Sequence, residues 1–391
     1  MRLNRADRSL LSDWWFTIDR LLLSALLLLI IGGLVLSLAA SPPVAARLGL
    51  DPFHFFKRHL LLAGPVCLIL FAASLLSPRQ VRRFCLALCG VGLALMVATL
   101  FVGPEIKGAT RWLQFAGLSL QSSELVKPGF VVLSAWLFSE SQQRSDVPCL
   151  QLAVALYVIF AGLLVLQPDF GQAFLVTMVW GGLFFMAGLP IVWVAILAGL
   201  AVAGVTVAYL TVPHVADRIN RFIDPGAGDT YQMDRALQSF IQGGWFGRGP
   251  GEGTVKQVLP DSHTDFIFAV AAEEYGLLAC LLLVSLFAFI ALRGLRYALG
   301  ETDGFIRYAV AGLMMLFGLQ ALINMAVNVG LLPAKGMTLP FISYGGSSLI
   351  SMALTLGMVL GLTRRRPRAA QQSRRASGHE PQGSPSRGLR V

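Results

Sequence analysis

Charge is scarce in this chain. Asp, Glu, Lys and Arg make up 13% of its 391 residues, against 55% that are hydrophobic. A water-soluble protein of that length needs far more polar surface, so soluble enzymes and soluble binding modules are excluded. Cysteine and histidine are scarce as well, with five of each. Cys67, Cys85, Cys89, Cys149 and Cys280 lie within or at the ends of apolar runs, without metal-ligand or disulfide spacing. They read as small membrane hydrophobes, and the scattered histidines give no reason to expect zinc. A cleavable leader is not expected either. Residues 1–20 are charged and carry Trp14, Trp15 and Phe16, and the apolar run 21–40 is too long for a leader core.

What the chain does have is a series of apolar blocks, each close to the length of about 20 residues that spans a bilayer as a helix. They cover roughly 21–40, 59–77, 84–102, 125–139, 150–167, 171–188, 191–211, 266–292, 308–330 and 347–363. The expected fold is an all-α polytopic membrane protein with about ten transmembrane helices. A large external loop, 212–264, would separate helices 7 and 8. Residues 1–20 then form a cytoplasmic N-terminal segment and 21–363 the transmembrane domain. Residues 364–391, rich in Ser, Gly, Pro, Gln and Arg, form a disordered basic cytoplasmic tail.

Sidedness follows from the cations. Most of the 31 Lys and Arg fall in 1–20, 78–83, 139–149, 293–307 and 364–391. These segments share one side if the N-terminus is cytoplasmic, as the excess of positive charge on cytoplasmic loops requires. The net charge of +10 therefore reflects topology and anionic lipid, and no nucleic-acid partner is expected. Within the long loop, "RALQSFIQGGWFG" combines helix formers with an apolar face, which suits a helix lying along the membrane surface.

Three external segments concentrate the remaining polar residues. In "GPEIKGATRWLQFAGLSLQSSELVKPG", Glu124 and Lys127 are three apart at the start of a helix and share a face. Lys107, Arg111 and Trp112 lie just upstream. This is either an interfacial ion pair with snorkelling side chains or a cationic pocket for an anionic head group. In "LPDSHTDFIFAVAAEEYG", His263 and Asp265 stand at the mouth of an apolar run, with Glu273 and Glu274 inside it. Asp265 either caps the helix or does chemistry, since carboxylates are costly near lipid. At least one of Glu273 and Glu274 should face the bundle interior. In "LLPAKGMTLPFISYGGSS", prolines and glycines break any helix, so the backbone must line a cavity or lie against protein. Lys335 adds a cation there, and Ser343, Ser347 and Ser348 add hydroxyls.

"GATRWLQFAGLSLQSSELVKP", "QPDFGQ", "LPDSHTDFIFAVAAEE" and "AKGMTLPFISYGGSS" together resemble the SEDS (FtsW/RodA/SpoVE) family, in order and with compatible spacing over roughly 15–365. The stretch Lys335 to Pro340 resembles its cell-division branch. One departure is Ser122, where the family usually has Pro, so a looser start to the helix ahead of Glu124 is expected. The resemblance implies a peptidoglycan glycosyltransferase that polymerises lipid II into β-1,4 glycan strands and releases undecaprenyl pyrophosphate, at the division septum in the bacterial inner membrane, with both termini cytoplasmic. Asp265 matches the family's functional aspartate. Lys107, Arg111, Trp112, Glu124, Lys127, His263, Lys335 and Ser343 are the candidate substrate contacts. Arg111, Lys127 and Lys335 would face the pyrophosphate, aided by Mg²⁺ or Mn²⁺ bridging its oxygens. No organic cofactor is expected. The implied partners are a class B penicillin-binding protein of the septal transpeptidase type, other divisome membrane proteins and membrane lipids. A lipid II flippase and a non-catalytic scaffold for the transpeptidase are the competing readings.

Overall fold

The computed structural model describes residues 10–104, 110–115, 118–144, 146–188, 231–333 and 336–364, with isolated positions between 192 and 220. Two of the candidate substrate contacts, Lys107 and Lys335, lie outside the described residues, as do most of the expected span 191–211, most of 212–230 and the tail from 365.

Eleven α-helices account for most of the described residues. A short α1, Leu10–Thr17, leads into α2, Arg20–Arg47. Asp19 caps α2 by accepting from Leu21 N and Leu22 N at 3.1 Å. The chain then runs through α3, His54–Leu75, and α4, Pro78–Val102. Ser77 and Gln80 close a capping box in front of α4, with Pro78 in its first turn. Next come α5, Ser122–Ser141, α6, Cys149–Leu166, and α7, Phe170–Met186. The last four helices are α8, Tyr231–Gly243, α9, Ile267–Gly300, α10, Gly304–Asn328, and α11, Gly346–Leu362. Six helices (α2, α3, α4, α6, α9 and α10) are long and apolar enough to cross a membrane, and α7 and α11 are shorter apolar helices. The protein is a multi-pass membrane protein.

Burial sorts the helices. α5, α10 and α11 are covered on most faces and form the centre. α3 packs along α11, α4 along α5, and α9 along α10. Gly357 of α11 lets α3 approach so closely that an added Cβ would stand 2.7 Å from Leu70 O. Such close backbone contact is the usual basis of helix association in lipid, where apolar burial adds little. Outward-facing Leu28, Leu61, Val91 and Leu282 remain exposed, as lipid-facing residues should be.

Two features differ from the sequence reading. The segment 103–129 holds a two-stranded antiparallel hairpin, β1 Trp112–Phe115 and β2 Leu118–Gln121, with Trp112 opposite Gln121. Four alternating residues per strand are too few to announce a sheet. Helix α5 starts at Ser122, with no side-chain cap from Gln121. Ser122 is fully buried, and its hydroxyl lies 3.4 Å from that of Thr99. The last difference is in α9, which breaks at Gly276 (φ 80°, ψ 179°) and runs on to Gly300.

That break is built into the fold. Residues 244–249 enter it: Arg248 N donates to Glu273 O at 2.9 Å and Leu277 N donates to Gly244 O at 2.9 Å. Glu273 and Glu274 are both buried here. One Glu273 oxygen accepts from Thr254 N and Val255 N at 2.6 and 2.7 Å, and the other accepts from Lys256 N at 2.9 Å. Lys256 pairs with Glu274 and also donates to Ala39 O at 3.2 Å. Both glutamates anchor the loop to α9. Helix α8 buries Ala236, Ser239 and Gly243, while Ile241, Trp245 and Phe246 stay exposed beside it, in keeping with a surface helix.

Candidate active site

The described parts of 103–129, 167–172, 259–267 and 331–348 meet at helix ends on one side of the bundle. Cross-contacts tie them together there. Gln121 N donates to Ser347 Oγ at 3.0 Å, Arg111 Nε to Gln167 O at 3.2 Å, and Tyr344 N to His263 O at 3.0 Å.

Asp265 is placed by a tight turn. Asp261 adopts a left-handed φ of 49°, which Asp tolerates better than most residues. Its carbonyl accepts from Thr264 N, Asp265 N and Phe266 N at 3.0 to 3.3 Å. The cap position of α9 falls on Phe266, which makes no side-chain cap hydrogen bond. Asp265 stands one residue outside it and is half-buried. Its carbonyl is held from α10 by Asn324 Nδ2 at 3.0 Å and Asn328 Nδ2 at 2.9 Å. Its carboxylate approaches the third segment closely: a Cβ added at Gly336 would stand 3.5 Å from Asp265 Oδ2.

His263 and Ser343 join the same cluster. The His263 ring lies 4.4 Å from that of Phe55 and stacks on Tyr344 at 5.8 Å. Burial pulls its pKa down to about 4, so the imidazole is neutral at physiological pH. Ser343 Oγ donates to Thr264 O and accepts from Leu339 N at 2.8 Å. It is a buried staple between two loops rather than an open hydroxyl.

Glu124 and Lys127 form a second cluster, inside the bundle and not at its surface. Lys127 is fully buried, so it does not snorkel. Its Nζ lies 2.8 Å from Glu124 Oε2 and donates to Gln172 Oε1 at 3.0 Å and Gln320 Oε1 at 2.9 Å. Two of its three ammonium donors thus go to glutamine oxygens, and the carboxylate of Glu124 neutralises its charge. Gln172 Nε2 closes the ring on Glu124 Oε1 at 2.7 Å, and Ser351 Oγ donates to Glu124 O at 2.6 Å. Gln320 Nε2 reaches Thr338 O at 3.2 Å, and the Thr338 and Ser348 hydroxyls lie 2.6 Å apart. A continuous polar string thus runs from the ion pair to the loop that faces Asp265.

Arg111 belongs to a third cluster. Its guanidinium donates to Gln167 O and Pro168 O, and lies 3.7 Å from Asp169 Oδ1. Asp169 also accepts from Gln121 Nε2 at 3.1 Å. Burial raises the Asp169 carboxyl above the ordinary range, and Arg111 opposes that rise. Trp112, half-buried in β1, sits beside this group. The cationic pocket expected from the sequence is therefore not an array of free cations: both described members already hold protein acceptors.

Gln172, Gln320, Asn324, Asn328 and Asp169 were not among the residues singled out from sequence. Asp169 and Gln172 lie within the quoted stretch "QPDFGQ", and a pattern existed for the other three. Gln320, Asn324 and Asn328 repeat every four residues within an apolar run, which puts three amides on one face of a membrane helix. For a divalent ion, no group of three or more His, Cys, Asp or Glu side chains that could hold a metal is found among the described residues. Asp265 offers one carboxylate, which suits an ion held mainly by substrate phosphates.

The family model of FtsW, RodA and SpoVE, described as cell cycle protein, matches residues 19–367. The chain belongs to this family. Among its relatives, the probable peptidoglycan glycosyltransferase FtsW of Caulobacter vibrioides is 50% identical over 366 residues, covering 93% of this chain and 94% of that one. The protein of the same description from Coxiella burnetii is 35% identical over 359 residues, covering 89% and 95%. Among solved structures, a chain of a peptidoglycan synthase complex that coordinates polymerization and crosslinking superposes with a TM-score of 0.73 at 30% identity, covering 88% of this chain and 97% of that one. The rod shape determining protein RodA of Thermus thermophilus gives 0.66 at 29% identity, covering 90% and 99%.

Proposed function

We propose that this family member is a peptidoglycan glycosyltransferase that polymerises lipid II and that Asp265 is its general base. The observation that carries the reading is the meeting of two loops at one carboxylate. Asp265 is oriented by α10 and faces Gly336 at the end of the bundle where the polar segments converge. The sugar of a membrane-anchored substrate would lie there, and the lipid tail would stay in the bilayer.

The reaction is a single displacement with inversion. The acceptor sugar hydroxyl oxygen attacks the anomeric carbon of the donor, and its proton passes to Asp265 Oδ. The bond from the anomeric carbon to the pyrophosphate oxygen breaks, and the electron pair leaves with the lipid pyrophosphate. A positioned base contributes about 10²–10⁴-fold to such a step. The leaving group needs no proton. It needs positive charge, which Lys107 and Lys335 are the candidates to supply, since Arg111 and Lys127 are occupied by protein acceptors. Bound Mg²⁺ or Mn²⁺ would supply further charge neutralisation, with Asp265 as the carboxylate able to hold it. Glu124 and Lys127 set the shape of the loop from beneath. A class B penicillin-binding protein is the fitting partner, since one structural neighbour couples polymerization to crosslinking. The septum of the inner membrane, with both termini in the cytoplasm, is the fitting location.

A transport reading draws on the buried ion pair and the broken α9, features shared with transporters. One assay separates the readings. Purified protein in liposomes receives labelled lipid II, as wild type and as Asp265→Asn. Glycan chains from the wild type, with at least about a hundredfold loss in the variant, are expected. Transfer between leaflets without polymer would establish transport, and neither activity would leave a scaffold. Full polymerisation by folded Asp265→Asn would remove the base assignment.

A further inference from the structure

Two amides from one helix hold Asp265 by its backbone carbonyl. Gln320, Asn324 and Asn328 lie four residues apart on α10, so their side chains stack along one face. All three are buried. Each donates to a carbonyl of one of the two loops that meet at the carboxylate. Gln320 Nε2 donates to Thr338 O at 3.2 Å. Asn324 Nδ2 donates to Met337 O at 2.6 Å and to Asp265 O at 3.0 Å, so one amide group bridges both loops. Asn328 Nδ2 donates to Asp265 O at 2.9 Å, while its Oδ1 accepts from Ala269 N at 3.1 Å.

The Asp265 carbonyl therefore accepts two amide donors, the full capacity of its two lone pairs. A carbonyl at this place would otherwise turn toward water or the first turn of α9. Here Ala269 N bonds to Phe266 O and to the Asn328 side chain. The peptide that follows Asp265 is thus held from both sides, its carbonyl by α10 and its N–H, on Phe266, by Asp261 O at 3.3 Å. Without the two amides the turn 261–266 would be free to shift as a unit, and the Cα of Asp265 would carry the carboxylate with it.

We propose that Gln320, Asn324 and Asn328 are positioning residues for the glycosyl transfer. They form an amide ladder that holds the Asp265 carboxylate in register with Gly336, and the proposal rests on the reading of Asp265 as the base. The ladder also joins the base to the buried ion pair, since Gln320 Oε1 accepts from Lys127.

The test uses Asn324→Ser and Asn328→Ser in the full chain. Serine removes the reach to the loops, and its hydroxyl can bond back to its own helix, which keeps α10 intact. Two readouts are taken. The first is polymerisation of lipid II in liposomes, per folded molecule. A misplacement of about 1 Å can cost 10²-fold in rate, so kcat should fall about 10- to 100-fold with KM within about twofold of wild type. The second readout needs no activity. Asp265→Cys and Gly336→Cys are paired in a chain whose five native cysteines are replaced, and oxidative cross-linking is measured with and without each serine. The cross-link yield should drop several-fold in the serine variants. Unchanged kcat with unchanged cross-linking overturns the ladder. So does a rise in KM at constant kcat, which would mark a substrate contact, and so does a lower folded yield with normal kcat in what folds. Asp265→Asn is run in parallel. If it polymerises normally, the base reading falls and takes the catalytic role of the ladder with it, whereas cross-linking still reports the ladder's geometry by itself.

Discussion

Lys127→Met removes a cation from the centre of the bundle while keeping much of the side chain's length and apolar volume. In the native protein the ammonium lies 2.8 Å from Glu124 Oε2 and within 3.0 Å of Gln172 and Gln320. The variant leaves a buried carboxylate with the Gln172 amide as its remaining donor in this ring. Breaking a buried ion pair from one side costs about 3–5 kcal/mol, chiefly because the other charge is stranded. Glu124→Gln should cost less, about 1–3 kcal/mol, since Lys127 keeps neutral oxygen acceptors. The pair of substitutions strands no charge, so it should be more stable than Lys127→Met alone by roughly 2 kcal/mol or more. Steric-trap unfolding in bicelles gives the four free energies of this cycle. Polymerisation should still fall in Lys127→Met per folded molecule, because Gln320 loses the partner that holds it toward Thr338. A loss under about 1 kcal/mol in Lys127→Met, or a double variant as unstable as the sum of the singles, would refute the network. Direct phosphate binding by Lys127 makes a different prediction: raised KM with stability unchanged.

Other outcomes follow from the same geometry. Burial holds His263 near a pKa of about 4 against the ordinary 6.5. The unfolded chain then binds a proton that the folded chain excludes, so stability is flat above pH 6.5 and falls as pH drops toward 4. His263→Gln should lose less stability than wild type between pH 7.5 and pH 5, and an equal loss in both would refute the assignment. Glu273→Gln replaces one of two oxygens that accept three backbone donors. Amide exchange at 254–256 should accelerate about tenfold or more while the core of α10 is unaffected, and an unchanged rate there would show that the carboxylate is not the anchor. Cysteines at the exposed positions Gln143 and Gln257 should react with an impermeant maleimide from opposite faces of the membrane. Labelling of both from one face would overturn the placement of the α5–α6 connection and the 244–264 loop on opposite sides.

The helices themselves were legible before any coordinates. A bilayer demands a long apolar run for each crossing, and nine of the expected runs coincide with described helices within a few residues at most ends. The main overrun is at the end of α9, where Arg293 and Arg296 look like a stop. Arg293 instead continues the helix because Asp19, at the start of α2, pairs with it at 2.7 Å. The place of Asp265 at the mouth of α9 was legible too, and a carboxylate beside an apolar run is costly enough to ask for a reason.

What spacing along the chain could not tell was which polar groups would find each other. Glu124 and Lys127 are three apart and had to share a face, but whether that face met lipid, water or protein depended on α7 and α10. Their glutamines come from 45 and 193 residues away. The break at Gly276 was hidden for a similar reason: its cause is a loop that enters from residues 244–249. The amides of α10 show a helical period in sequence, yet their acceptors are backbone carbonyls, which every residue has. Apolar pattern reports what one segment must bury. Hydrogen-bond partners are settled only when tertiary packing brings separate segments together and leaves each buried polar group a limited choice of neighbours.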